Sequence, residues 1–255
     1  MSSAPRVSVV VACHNYGAFL AEALSSLARQ SRPADELIVI DDGSTDETAA
    51  VLRSWSGPPV TLVSHPEPLG TASAFNTGIA RSTGDLVVKL DADDRLSEGY
   101  LERLAAAIET TGAAIAYSGV RRFGAESGED RAAPFDRREL MRENYINGSA
   151  MVRREVLLAT GGYRRDFDQL GLEDWELWVH AVALGYTATP VEGCWLEYRR
   201  HAGGSRNTIS RARALRAHLD VWWLHRPVIR WSDVTRWMAR SARRNVWRLL
   251  RPSRA

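Results

Sequence analysis

Cysteine is nearly absent: 255 residues contain two, Cys13 and Cys194. Each lies in an apolar, β-like run, which excludes a disulfide framework and a thiolate zinc site and makes a reducing cytoplasm the expected compartment. Lysine is scarcer still, because 32 of the 33 basic residues are arginine and the exception is Lys89. No window approaches the roughly 18 uninterrupted apolar residues that a membrane-spanning helix needs. The opening MSSAPRVSVVVACHN has no basic segment ahead of an apolar one, so neither secretion nor membrane insertion is expected. No Gly-x-Gly-x-x-Gly follows the first apolar run, which argues against a nicotinamide dinucleotide site. A glycine- and lysine-rich triphosphate loop is missing too, and with it the signature of a nucleotidyltransferase.

What is present describes a globular chain. Hydrophobic residues make up 45% and charged residues 25%, enough to build a sizeable core. The net charge of +2 hides an asymmetry. From Arg211 onward 12 arginines face only Asp220 and Asp233, whereas residues 1–210 carry 21 basic and 29 acidic groups. An acidic body with a basic tail points to an anionic surface as partner.

Short apolar runs alternate with amphipathic stretches, the pattern of βαβ units around a mostly parallel sheet. Strands are expected at Val7 to Ala12, Glu36 to Ile40, Val60 to Val63, Asp85 to Leu90 and Ala113 to Tyr117. Helices are expected after the first strand, with Phe19, Leu20, Ala23, Leu24 and Leu27 on one face, then over Thr48 to Trp55, Thr71 to Arg81 and Ser97 to Thr110. Gly119 to Asp136 is polar and breaker-rich and reads as a loop. Beyond it, strands are expected at Gly148 to Arg153 and Cys194 to Tyr198, and helices over Glu155 to Thr160 and Glu173 to Leu184. Two arginine- and tryptophan-rich helical segments follow Ser210, separated at Pro227.

In an open parallel sheet ligands bind beyond the carboxyl ends of the strands, and these ends are polar here. The first run empties into His14 and Asn15, the second into Asp41, Asp42, Gly43 and Ser44, the fourth into Asp91, Ala92, Asp93 and Asp94. Adjacent acids repel unless a cation or hydrogen-bond donor compensates. Asp91-x-Asp93 suits a hard divalent cation such as Mg²⁺ or Mn²⁺, with a diphosphate supplying further ligands. For each acidic motif by itself a helix cap or turn is the readier explanation, Asp46 being an example.

Taken in order, these motifs resemble glycosyltransferase family 2 with the GT-A fold. Val7 to Tyr16 resembles the opening strand, Ile40 to Asp46 the nucleotide-binding turn, Gly70 to Gly78 an Asn-x-Gly helix, and Gly84 to Asp94 the strand leading into a metal motif. Gly161-Gly162-Tyr163 followed by Glu173 to Trp178 is similar to the acceptor-side motif, and Tyr198 to His201 to the segment that closes over the diphosphate. Two departures stand out: Phe75 where many relatives have Arg before Asn76, and Ala12-Cys13-His14-Asn15 where a Pro-x-Tyr-Asn ending is common. His14, Phe75 and the 119–136 segment are accordingly the expected seats of specificity.

The resemblance implies a Rossmann-like, mostly parallel sheet flanked by helices over residues 5–206, with a nucleotide-sugar half (5–118), an acceptor half (119–206) and a helical tail (207–255). It implies a metal-dependent, inverting transfer from a UDP-, dTDP- or GDP-sugar to a saccharide or lipid-linked saccharide, as in surface polysaccharide synthesis. Asp174 is the implied general base. Ala12, Asn15, Asp41, Asp42, Asn76, Asp91, Ala92 and Arg199 are implied for the nucleotide sugar, with Asp42 at the base. Asp93, Asp91 and His201 are implied for Mn²⁺ or Mg²⁺, while Asp94 is left as a helix cap. The setting of Asp174 among Leu172, Glu173 and Trp175 suggests a desolvated carboxylate; without the resemblance, charge favourable to a helix N-terminus is the preferred reading of Glu173 and Asp174. A sugar nucleotidyltransferase and a non-catalytic nucleotide-sugar-binding module are the alternatives.

A helix over Val234 to Leu250 would place Val234, Met238, Ala242, Val246, Leu249 and Leu250 on one face and Arg236, Arg240, Arg243, Arg244 and Arg251 on the other, with Trp231, Trp237 and Trp247 at or beyond the border. That pattern suits contact of residues 231–251 with the anionic inner face of a membrane. Docking on the protein's own body comes second. Nucleic acid is disfavoured by the acidic body.

Overall fold

The computed structural model describes residues 4–202 and 211–229, together with positions 232, 234, 235 and 239. Most of the amphipathic helix expected over 234–250, and with it the membrane contact at 231–251, lies outside the described residues.

The apolar runs become strands because β-branched residues that are buried on both faces pack well in a parallel sheet. β1 (Val7–Cys13), β2 (Glu36–Asp42), β3 (Thr61–His65) and β4 (Leu86–Asp91) pair in parallel in the order β3-β2-β1-β4. The connections are helical: α1 (Gly17–Ala28), α2 (Thr48–Ser54) and α3 (Thr71–Arg81). Alternate side chains of β1 enter opposite layers. Val7, Val9 and Val11 pack with Leu20 and Leu24 of α1, whereas Val10 packs with Phe75 and Ile79 of α3. Gly78 lets α3 press onto β1, since a Cβ there would lie 2.2 Å from Val10 Cγ1.

The second half turns the sheet mixed. A two-residue strand β5 (Arg95–Leu96), helix α4 (Tyr100–Thr111) and β6 (Ile115–Gly124) come first. β7 (Gly128–Asp130), α5 (Arg137–Leu140), β8 (Met151–Arg153), α6 (Arg154–Thr160), a 3₁₀ turn at Arg165–Leu170, α7 (Glu173–Ala183) and β9 (Ala188–Arg200) complete the body. β8 lies antiparallel between β4 and β6, and β9 runs parallel to β6 and carries β5 on its other edge. β6 crosses from residue 118 to 119, so the two halves expected from the sequence share one sheet.

Two expectations are corrected. The 119–136 segment is not a loop throughout, because β6 continues to Gly124 and returns as β7. Its charges hid the strand from an apolar pattern, and they are neutralised across the hairpin by Arg121 with Glu129 (2.7 Å) and Arg122 with Asp130. The last strand is much longer than Cys194 to Tyr198. Glu192 and Gly193 break the pattern locally, where the register against β6 jumps from Val191 to Trp195 opposite Ser118 and Gly119.

The first tail segment, α8 (Arg211–Leu224), docks on the body. Ala217, Val221, Trp222 and His225 are buried. Trp222 Nε1 donates to the Met141 carbonyl at 2.8 Å, and His225 Nε2 lies 2.8 Å from Glu176 Oε1 on α7. α8 is therefore packed on the body, while the docking alternative for residues 231–251 lies almost wholly outside the described residues. None of the described helices is long and apolar enough to cross a membrane.

Glu36 ties the base of the parallel strands together. Its carboxylate accepts from Ser8 Oγ at 2.5 Å, from the Thr83 amide at 2.8 Å and from the Thr83 hydroxyl. Burial alone would raise this carboxyl, but the donors outweigh it and hold it at about 2, against an ordinary 4.5. A depressed folded-state value means that the stabilisation is complete above pH 4.5 and is lost as pH falls toward 2. Glu36→Ala is expected to cost about 1–3 kcal/mol in denaturant unfolding at neutral pH. The difference from the parent should shrink in acid; a cost that stays constant down to that range would show that the ionised carboxylate is not what stabilises.

Candidate active site

β1, β2 and β4 end side by side, and a cleft of about 640 Å³ opens at their carboxyl ends. Ala12 and His14 at the end of β1, Asp42 at the end of β2, and Asp91 to Asp94 at the end of β4 form one wall. The start of α7, with Glu173 and Asp174, and the end of β9, from Tyr198 to His201, form the other.

The acidic turn after β4 is held by β9. Asp94 does not cap α4: it is buried, and its Oδ1 accepts the Arg199 amide at 2.8 Å. Burial and the neighbouring Asp91 and Asp93 push its carboxyl well above the ordinary range. Arg199 Nε donates to the Asp93 carbonyl at 2.8 Å, and its guanidinium also pairs with Glu22 and lies against the rings of Phe19 and Phe123. Arg199 thus clamps the turn and also lines the cleft. His201 Nε2 reaches Asp93 Oδ2 at 2.8 Å, beside the Tyr16 and Phe19 rings.

At the far side Asp174 Oδ1 accepts from Lys89 Nζ at 2.7 Å, with Glu173 Oε1 3.7 Å from the same ammonium. The desolvation expected around Asp174 falls on its neighbour. Burial, then repulsion by Asp174, pushes the Glu173 carboxyl up, while the Asp174 side chain is 20% exposed.

Three implied residues do not line the cleft but shape it. Asn15 adopts the left-handed conformation at φ 56°, which asparagine tolerates. Its Oδ1 accepts the Thr45 amide at 2.8 Å, and Asp41 Oδ1 accepts the Ser44 amide at 3.0 Å, so both residues fix the turn after β2. Asn76 bonds both the amide and the carbonyl of Tyr163, at 2.8 and 2.7 Å, and joins α3 to the segment before the 3₁₀ turn. Asp42 does line the cleft. Its Oδ1 accepts from His65 Nδ1 at 2.7 Å and from the Leu69 amide at 2.9 Å, and its Oδ2 from the Gly70 amide at 2.9 Å. His14 Nδ1 donates to the Asp42 carbonyl at 2.7 Å. Ala12 and Ala92 offer small walls. Phe75, expected to influence specificity, is instead buried against Tyr163.

A divalent cation fits the acidic end. Asp91 is pushed up to about 6 by burial and by Asp93, Asp174 and Asp168, against the pull of Lys89, so negative charge there is incompletely balanced. Asp93 and His201 already converge on one point. Among the described residues no three His, Cys, Asp or Glu side chains converge on one point.

Sequence reasoning missed Asp168 and Lys89. Asp168 sits on the 3₁₀ turn, accepts the Ala72 amide at 3.1 Å at the start of α3 and lines the cleft; burial and Asp42 raise its carboxyl. No local pattern marks it. Lys89 carried one available signal, that of being the sole lysine in an apolar strand.

A family model, Glycosyl transferase family 2, matches residues 8–164, more than half of the chain. The putative teichuronic acid biosynthesis glycosyltransferase TuaG of Bacillus subtilis is 25% identical over 237 residues, covering 89% of this chain and 89% of its own. The mannosyltransferase PcManGT from Pyrobaculum calidifontis, solved with GDP-Man and Mn²⁺, matches with a TM-score of 0.63 at 21% identity, over 94% of this chain and 81% of its own. S. aureus TarS 1–349 in complex with UDP-GlcNAc matches with a TM-score of 0.64 at 16% identity, over 80% of this chain and 61% of its own. At these identities the two structures establish the fold alone. The chain spans 34% of the length of each of the first two curated relatives that it matches. With the motifs at the strand ends, the order of the parallel strands and the family model in agreement, this chain belongs to glycosyl transferase family 2 and has the GT-A fold.

Proposed function

We propose that this chain transfers a sugar from a nucleoside diphosphate donor to a hydroxyl acceptor by single displacement with inversion. The observation that carries this reading is one cleft with two acidic ends: Asp91 and Asp93 beside His201, and Asp174 at the start of α7. The acceptor hydroxyl gives its proton to Asp174 as its oxygen forms a bond to the anomeric carbon. The bond from that carbon to the phosphate oxygen breaks, and the nucleoside diphosphate leaves with the electron pair. Asp93 and His201, with Asp91 beside them, would hold Mn²⁺ or Mg²⁺, which supplies Lewis acidity to the departing diphosphate when bound.

Ala12 and Asp42 wall the space for the base, on a turn that Asn15 and Asp41 hold rigid. Arg199 keeps the acidic turn in place. The donors found with PcManGT and TarS, GDP-Man and UDP-GlcNAc, support a nucleotide sugar here. The name of TuaG supports a saccharide or lipid-linked saccharide acceptor in surface polysaccharide synthesis.

The test is a panel of UDP-, dTDP- and GDP-sugars, scored for binding and for nucleoside diphosphate release with and without Mn²⁺ or Mg²⁺. One donor class should bind in the micromolar to millimolar range and turn over only with metal. A folded chain that binds no member of the panel would overturn the proposal in favour of a module without catalysis.

A further inference from the structure

Strand alternation aims Lys89 at an unfavourable place for a charge. Val88 and Leu90 enter the layer under α1 and α4, so Val87 and Lys89 point the other way, toward α3 and α7. There the Lys89 side chain is 5% exposed, with its ammonium 4.7 Å from the centre of the Phe75 ring and 5.1 Å from that of Tyr163. A buried cation is tolerated only where opposite charge and good geometry offset its lost hydration. Asp174 at 2.7 Å and Glu173 at 3.7 Å provide that charge, with the two ring faces adding to it.

The arrangement leaves the two oxygens of Asp174 in different positions. Oδ1 accepts from Lys89. Oδ2 lies against Gly148, where a Cβ would come within 2.4 Å of it and within 3.1 Å of Lys89 Cε. Both Gly148 and Asp174 line the cleft. An ammonium is a point charge that engages one oxygen, whereas a guanidinium fork takes both oxygens of a carboxylate. In a chain that otherwise uses only arginine, the one lysine stands where a fork would occupy the whole carboxylate. Phe75, the departure from arginine on α3, lies directly beneath this ammonium.

We propose that Lys89 is the positioning residue for Asp174, holding Oδ1 and leaving Oδ2 free to take the acceptor's proton. This rests on the reading of Asp174 as general base. A carboxylate displaced by about 1 Å can lose 10²-fold in rate.

The test follows nucleoside diphosphate release from GDP-mannose or UDP-GlcNAc with Mn²⁺, whichever the intact chain turns over. Lys89→Met is expected to lower kcat by about 10–100-fold with an unchanged KM for the donor. In an Asp174→Asn background the same substitution should leave kcat within about twofold, because its route of action is already gone. Full kcat in Lys89→Met, or an equal loss in both backgrounds, would overturn the positioning role. If Lys89→Met does not fold, Lys89→Arg decides: it keeps the charge but forks the carboxylate, so kcat should fall with the donor KM unchanged, and a parental kcat would sink the idea. Asp174→Asn with parental kcat would instead remove the base reading itself. Should neither donor turn over, a crystal structure of Lys89→Met gives the answer: the Asp174 carboxylate should leave its place beside Gly148, and an unmoved carboxylate overturns the proposal.

Discussion

Asp174→Asn is expected to lower sugar transfer by about 10²–10⁴-fold, the usual worth of a positioned general base, with little change in donor affinity. Asparagine has nearly the same shape, and its carbonyl oxygen can still accept from Lys89, which now reaches Asp174 Oδ1 at 2.7 Å. What it lacks is an oxygen able to take a proton as the acceptor attacks. The substitution also removes one of the two acids facing Lys89, and Glu173, 3.7 Å from Nζ, remains as counter-charge, so the fold should survive. Measurement of kcat and donor KM separates the outcomes. A loss confined to kcat supports a group that acts only in the transition state. Parental kcat would exclude Asp174 as the base and turn attention to Glu173, whose Oε2 has no hydrogen-bond partner among the described residues.

Asp93→Ala is expected to abolish the metal dependence of donor binding and to lower turnover by about three orders of magnitude, the several kcal/mol that a Lewis acid contributes to a departing diphosphate. The fold argument is again local. The acidic turn is held through the Asp93 backbone carbonyl and through Asp94, which bond Arg199 Nε and the Arg199 amide, both at 2.8 Å. Neither contact uses the Asp93 carboxylate, so its removal should leave the turn standing. His201 loses its 2.8 Å partner, and one carboxylate fewer remains to face a cation. Calorimetry of the variant with the preferred donor, with and without Mn²⁺, reads the effect directly. Metal-dependent binding equal to that of the parent would exclude Asp93 as the principal ligand.

The elements around β1 were legible because they are two-layer problems with local solutions. Val7, Val9 and Val11 against Val10 state which faces are buried, and the polar residues after each run state where the strand stops. The strand ends therefore announced the cleft. The β6–β7 hairpin was not legible, since its strands carry Arg121, Arg122, Glu129 and Asp130, whose charges are compensated across strands, Arg121 also by Glu197 of β9. The positions around the cleft were legible, but their contacts were not. Asn15, Asp41 and Asn76 belong to the right turns and helix, yet their amide and carboxylate groups are spent on backbone partners that hold the cleft's frame.

The sequence by itself determined the α/β class of the fold and the acidic strand end at Asp91 and Asp93, because apolar periodicity and strand-end polarity are properties of a few consecutive residues; Asp174 as a base is what the family resemblance implies. Tertiary structure decided the pairings. Lys89 meets Asp174 across 85 positions, Arg199 meets Asp93 across 106, and His225 of the tail segment reaches Glu176 across 49. The physical reason is that a buried charge must find an opposite charge or a hydrogen-bond donor, and which one it finds depends on how the strands are ordered in the sheet, not on its neighbours along the chain.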